Sequence, residues 1–174
     1  MTAELSYVPE GSEYIHSGIM HAASSFASHR SPDQSLLTLC SEVGMGKSTF
    51  IDTVLLHEAQ AGVKVFHLSL SKPLAESPAE RIGRLARDVV RSCSAGNSVA
   101  VGVDDVPILA DGEVPRVARA IRRMVTAGAL VLVAMRPESM DLFNELHEAR
   151  RLDTAALLGL SLQSRGIFSV SARA

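Results

Sequence analysis

The sequence predicts an α/β domain: a parallel sheet with helices on both faces. Three observations carry that prediction. From residue 35 onward, short apolar runs alternate with segments of helical periodicity, the pattern of strands joined by crossover helices. One run, Val99-Ala100-Val101-Gly102-Val103, has no polar side, as a strand covered on both faces requires. Between the first strand and the first crossover helix lies a turn with two glycines followed by Lys-Ser, an arrangement that presents backbone N–H groups to an anion at a helix N-terminus.

With 174 residues, 47% hydrophobic and 21% charged, the chain suits one domain with a substantial core. A formal net charge of −2 gives no case for a polyanion-binding protein as a whole. Cys40 and Cys93 stand far apart, with no C-x-x-C spacing, so neither a zinc site nor a disulfide framework is expected and a reducing, cytoplasmic setting is. Met1-Thr2-Ala3-Glu4 does not lead a basic stretch into an apolar core, so no signal peptide is expected. The longest apolar run, residues 129–135, falls short of the ~20 residues that cross a bilayer.

Residues 1–34 read as a lead-in. Pro9, Gly11 and Ser12 suggest a loop, and Ile19, Met20, Ala23, Phe26 and Ala27 share one side of a helix ending before Ser31-Pro32. His16, His21 and His29 lack ligand spacing and read as surface or capping residues. Residues 36–40 form the first strand. A helix over 47–61 follows, with Phe50, Ile51, Val54, Leu55 and Ala59 as its inward stripe and Gly62 as its stop. Residues 63–70 form the second strand, in which His67 needs no chemistry. Ser77-Pro78-Ala79-Glu80 is a capping box with proline at the first helical position. The helix it opens turns Ile82, Leu85, Ala86, Val89, Val90 and Cys93 inward, leaving Arg81, Arg84, Arg87 and Arg91 on a solvated face. The third strand spans 98–105. A helix over 114–127 buries Val117, Ala118, Ile121, Met124 and Val125 and turns Arg116, Arg119, Arg122 and Arg123 outward. Residues 129–135 form the fourth strand and 140–152 a helix. Residues 155–162 read as a fifth strand, although their composition also suits a short helix. Residues 163–174 are a tail.

The chemistry concentrates at strand ends. In Ser41-Glu42-Val43-Gly44-Met45-Gly46-Lys47-Ser48-Thr49, the segment Val43 to Thr49 would hold a nucleotide's phosphates: Gly44 and Gly46 let the backbone approach, Lys47 reaches the β- and γ-phosphates, and the Ser48 hydroxyl can ligate Mg²⁺. The usual spacing wants glycine at 41, where this chain has serine. A serine forced to positive φ would weaken binding. Asp104 and Asp105 close the third strand. In a parallel sheet all carboxyl ends share one edge, so Asp104 would approach Ser48 and Mg²⁺, and Asp105 the γ-phosphate, where it could orient or deprotonate a water. Arg136, after the fourth strand, could sense the γ-phosphate or pair with Glu138 or Asp141.

On these residues the chain resembles the nucleotide-binding core of STAND-class P-loop ATPases, especially that of large LuxR-type transcriptional regulators. The resemblance spans roughly residues 35–162 and rests on Glu42 to Thr49, on Val101-Gly102-Val103-Asp104-Asp105, and on Met135-Arg136-Pro137-Glu138. It implies a P-loop NTPase three-layer sandwich with a five-stranded parallel sheet in the order 5-1-4-3-2. It also implies ATP bound with Mg²⁺, slow hydrolysis acting as a switch, and self-association on ATP binding. The lid, winged-helix, sensor and helix-turn-helix parts of that family have no counterpart here, so a fragment or a stand-alone core is expected, with DNA contacted only through regions beyond this chain. Two other functions fit the same residues. One is a P-loop kinase for a small metabolite; the other is a degenerate scaffold that no longer turns over nucleotide.

Overall fold

The computed structural model describes residues 12–29 and 35–147. In chain order the elements are α1 (Ser12–His29), β1 (Leu36–Cys40), α2 (Lys47–Gln60), β2 (Lys64–Ser69), α3 (Pro78–Ser94), β3 (Val99–Val106), α4 (Val114–Thr126), β4 (Leu130–Met135), a single 3₁₀ turn (Pro137–Ser139) and α5 (Met140–His147). Every strand pairing is parallel, and the order is β1-β4-β3-β2.

The expected five-stranded sheet is therefore corrected to four strands among the described residues. The fifth strand, read over 155–162, and the tail at 163–174 lie outside them. Ala-Ala-Leu-Leu-Gly-Leu-Ser-Leu contains no β-branched or aromatic residue, so the run specifies a strand only weakly.

Side chains along the strands alternate between two hydrophobic layers. Leu36, Val99, Val101, Val103, Val131, Val133 and Met135 pack with α3, α4 and α5. Leu37, Leu39, Ala100, Leu130, Leu132 and Ala134 pack with α1 and α2. This period of two, with apolar residues on both faces, is what a helix-covered sheet demands. β4 is buried along its whole length, whereas β2, at the edge, is largely exposed. On the α2 side β3 carries Gly102. A Cβ there would lie 2.5 Å from Ile51 Cγ2 and 3.0 Å from Leu55 Cδ1, so the missing side chain lets α2 sit directly on the strand.

Caps and stripes set the helix limits. In α3 the Ser77 hydroxyl accepts from the Glu80 N–H at 3.3 Å, and a Glu80 carboxylate oxygen accepts from the Ser77 N–H at 2.9 Å. Along α2, Phe50, Ile51, Val54 and Leu55 are buried as expected, but Ala59 is exposed and Glu58 is buried in its place. Helix α1 covers α2 and the sheet through Ile19, Ala22, Ala23 and Phe26, while Met20, expected inward, is 42% exposed. The Phe26 and Phe50 rings lie 5.9 Å apart, within the range of favourable aromatic pairing.

Candidate functional site

All strands being parallel, β1, β3 and β4 end on one edge, and β4 stands between the other two. The Gly-Lys-Ser turn follows β1, the acidic pair closes β3 and Arg136 follows β4. The strand order thus flanks Arg136 with the turn on one side and the carboxylates on the other.

The turn ends in Gly46, the N-cap of α2, at φ +78°, with Gly44 at φ +81°. Both dihedrals are left-handed and favour glycine. Ser41 is not at positive φ; Asp105 is the one non-glycine residue of the described chain that is. The expected cost of serine at 41 is thereby corrected, because the left-handed turns fall on Gly44 and Gly46 instead. The Ser41 hydroxyl is buried without a hydrogen-bond partner among the described residues.

The N-terminus of α2 is chemically open. No side chain caps it and no acidic residue lies in its first turn, in contrast to α3, whose own Ser77 and Glu80 satisfy its end. The first N–H groups of a helix have no partner within it and carry the positive end of the dipole. Lys47, at the first helical position, is only 7% exposed. Its ammonium donates to the carbonyl oxygens of Ser41 at 2.5 Å and Glu42 at 2.7 Å, which holds it against the inside of the turn. Burial pushes its pKa below the ordinary 10.5; the charges of Asp105 and Asp104 oppose that shift, and Arg136 adds slightly to it. These four residues, far apart in sequence, therefore lie within one electrostatic neighbourhood.

The acidic pair forms an irregular strand end. The register between β3 and β4 shifts between Val103 and Val106, and Asp105 sits at φ +54°. Aspartate tolerates this region better than most residues but still with strain, and such strain concentrates at functional sites. A carboxylate oxygen of Asp104 accepts from the Asp105 N–H at 2.8 Å, and the Asp104 carbonyl accepts from the Leu70 N–H at 2.9 Å. Asp104 is buried and Asp105 half-buried. Val43 and Ser48 are exposed, and Met45 and Thr49 are half-buried. Arg136 is exposed and makes no ion pair with Glu138 or Asp141.

Among the described residues no group of three His, Cys, Asp or Glu side chains could hold a metal ion by itself. A cation beside Asp104 and Ser48 would need further oxygens from a ligand. Mg²⁺ is usually bound in that way, through one or two carboxylates and substrate phosphates. The donors present thus fit Mg²⁺ together with a phosphate ligand better than Mg²⁺ alone.

Two supporting residues escape a reading of the sequence. Ile19 of α1 backs the turn: a Cβ on Gly46 would fall 2.0 Å from its Cδ1. Nothing local signals this, because the contact crosses elements. Ser139, buried, donates its hydroxyl to the carbonyls of Val106 and Pro107 at 3.5 and 3.4 Å, and its N–H to that of Arg136 at 3.0 Å. It ties the Arg136 turn to the exit of the acidic strand, and its one sequence signal is a serine directly after Pro-Glu.

No family model matches the chain, and no curated protein matches it. Solved structures similar to it include a chain of the HORMA:CdnC:Trip13 complex of E. coli MS115-1, with 16% identity and a TM-score of 0.49 over 92% of this chain and 67% of that one. Trip13 of Rhizobiales gives 17% identity and a TM-score of 0.47 over 83% of this chain and 60% of that one. PCH-2 of C. elegans gives 13% identity and a TM-score of 0.47 over 97% and 51%. The chain thus spans half to two-thirds of the length of these proteins. At this level of likeness neither their partners nor their activity carry over. The expected kinship with LuxR-type regulators is nevertheless corrected: the structures named here are a chain of a HORMA:CdnC:Trip13 complex, a Trip13 and a PCH-2. The reading as a signalling or transcription module falls with that kinship, and the kinase and scaffold readings gain no support. The motifs that suggested the kinship are short, and a glycine turn with Lys-Ser or a pair of acids at a strand end does not by itself distinguish one family from another. Among the described residues no helix is long and apolar enough to cross a membrane.

Proposed function

We propose that this chain binds a nucleoside triphosphate, ATP in the first instance, together with Mg²⁺ at the carboxyl edge of its sheet. The observation that carries the reading is the pairing of an uncapped α2 N-terminus with a buried Lys47 that shares its field with Asp104 and Asp105. A buried ammonium, free N–H groups and nearby carboxylates form a poor site for a simple anion, which the acids would repel. They form a good one for phosphate bridged to a divalent cation.

Each residue then has a role. The backbone from Val43 to Thr49 wraps the phosphates, and Lys47 neutralises their charge. Ser48 and Asp104 hold the cation, which would supply further charge neutralisation. Asp105 orients a water at the terminal phosphate and accepts its proton, and Arg136, on the same edge and without an ion pair among the described residues, meets the same phosphate.

Calorimetric titration of ATP and ADP, with and without Mg²⁺, tests the proposal on wild type and Lys47→Ala. Binding should require Mg²⁺ for full affinity and should be lost in the variant. Equal affinity in the two proteins would overturn it.

A further inference from the structure

The arginines on α3 and α4 divide into two sets. Arg81 donates to the carbonyls of Ser69 at 2.7 Å and Lys72 at 3.3 Å, Arg84 pairs with Glu76, Arg91 lies 3.5 Å from Asp88, and Arg122 lies 3.4 Å from Glu145. Arg87, Arg116, Arg119 and Arg123 have no carboxylate within ion-pair distance among the described residues. All four are exposed, and all four line one cleft of about 430 Å³ between the two helices.

The cleft follows from the sequence. Helices α3 and α4 both return from the carboxyl edge of a parallel sheet, so they run side by side in the same direction. Positions 116, 119 and 123 recur at i, i+3 and i+7 and share one face of α4. The floor is Ala79, Ala86 and Ala120, all buried, and Gly83, where an added Cβ would meet nothing within 4 Å. Small residues on both helices leave a groove where larger ones would interdigitate. The four guanidinium groups around it repel one another, and Glu80, whose carboxyl feels the charge of Arg116, offsets them only in part.

We infer that this cleft is a docking groove for an acidic peptide segment of a protein partner. The guanidinium fork matches carboxylates bidentately, and the shallow alanine floor accepts the small side chains of a segment laid along two helices. Glu76 and Glu80 line the same cleft. A uniformly charged nucleic acid would run against them, whereas a peptide can place its carboxylates opposite the arginines alone. None of the four arginines is a residue of the proposed nucleotide site, so the inference stands apart from the nucleotide proposal.

The test is fluorescence anisotropy of the full chain with a labelled helical peptide of alanine and glutamate. Its glutamine counterpart and a labelled DNA duplex serve as comparisons. The glutamate peptide should bind more tightly than either comparison. The double substitution Arg119→Glu with Arg123→Glu should weaken it roughly tenfold or more. Gly83→Leu fills the groove while favouring the helix, so it should weaken binding without unfolding the chain. Arg91→Glu, on an arginine already paired, should leave affinity unchanged. The inference is overturned by absence of binding, equal binding of the glutamine peptide, tighter binding of DNA, or an equal loss in Arg91→Glu.

Discussion

The side chain of Ile19 occupies the space that a side chain on Gly46 would need, its Cδ1 lying 2.0 Å from the Cβ position. Gly46 is also at φ +78°, so Gly46→Ala meets backbone strain and overlap together. The expected cost is about 1–3 kcal/mol in urea unfolding, with loss of nucleotide affinity. Ile19→Ala alone should cost about 2–5 kcal/mol through the cavity it leaves. In the double variant the overlap disappears and the strain remains, so the two costs should add to more than the measured total.

Lys47 should give the folded protein a pH dependence of known sign. Its folded pKa lies below the ordinary 10.5 because of burial. Between those two values the unfolded chain binds the proton more readily, so this group's contribution to stability rises with pH across the window and is least favourable below it. Lys47→Met should flatten that rise, which denaturant unfolding at stepped alkaline pH will show. Unchanged slopes would refute it. Phosphate beside the ammonium restores its pKa, so nucleotide binding within the window should take up protons, measurable by calorimetry in buffers of different ionisation enthalpy.

Asp105 combines left-handed backbone with a proposed role on water. Asp105→Asn tolerates the same dihedrals, so it should fold normally and bind ATP while phosphate release falls at least about 100-fold. Asp105→Ala should bind ATP too but lose roughly 1 kcal/mol of stability to strain. Thermal unfolding and phosphate assays on both variants separate the two effects.

Asp104 is expected to act through the cation. Asp104→Asn keeps an oxygen acceptor for the Asp105 N–H, now donated at 2.8 Å to Asp104, so the strand end should survive. The difference in ATP affinity with and without Mg²⁺ should shrink. Retention of the full Mg²⁺ effect would remove Asp104 from the proposed site.

Ser77→Ala should cost about 1 kcal/mol of stability through the lost cap and leave ATP affinity unchanged. Hydrogen bonds from the backbone and side chain of Ser77 hold the Glu80 carboxyl below its usual 4.5. The stabilisation this gives is present above that value and disappears as pH falls through the lowered one. The substitution keeps the backbone bond, the larger cause, and removes the side-chain one, so it should soften the acid side of the stability profile only in part.

Much of this was legible in the residues. The capping box placed the start of α3, and the unbroken apolar run identified β3 as a strand covered on both faces, because each signal is local and has one physical cause. The convergence of Lys47, Asp104, Asp105 and Arg136 followed from parallel topology. The contact of Ile19 with the turn did not, since it depends on how α1 crosses α2. Nor did the backbone at Ser41, where a spacing rule stood in for a dihedral angle. The bulge that tilts Asp105 has no sequence mark beyond two adjacent aspartates. Arg87, Arg116, Arg119 and Arg123 read in the sequence as ordinary solvated faces of two helices, and only the packing of α3 beside α4 brings them to one cleft.

β4 comes later in the chain than β1, β2 and β3, yet it inserts between β1 and β3. In a chain made from its N-terminus, the Gly-Lys-Ser turn and the acidic pair can be bridged by β4 only once residues 130–135 have emerged, which then close the gap as a keystone. If the proposed site binds nucleotide, a growing chain should show no ligand protection before that point, and timed translation in the presence of ATP would check it.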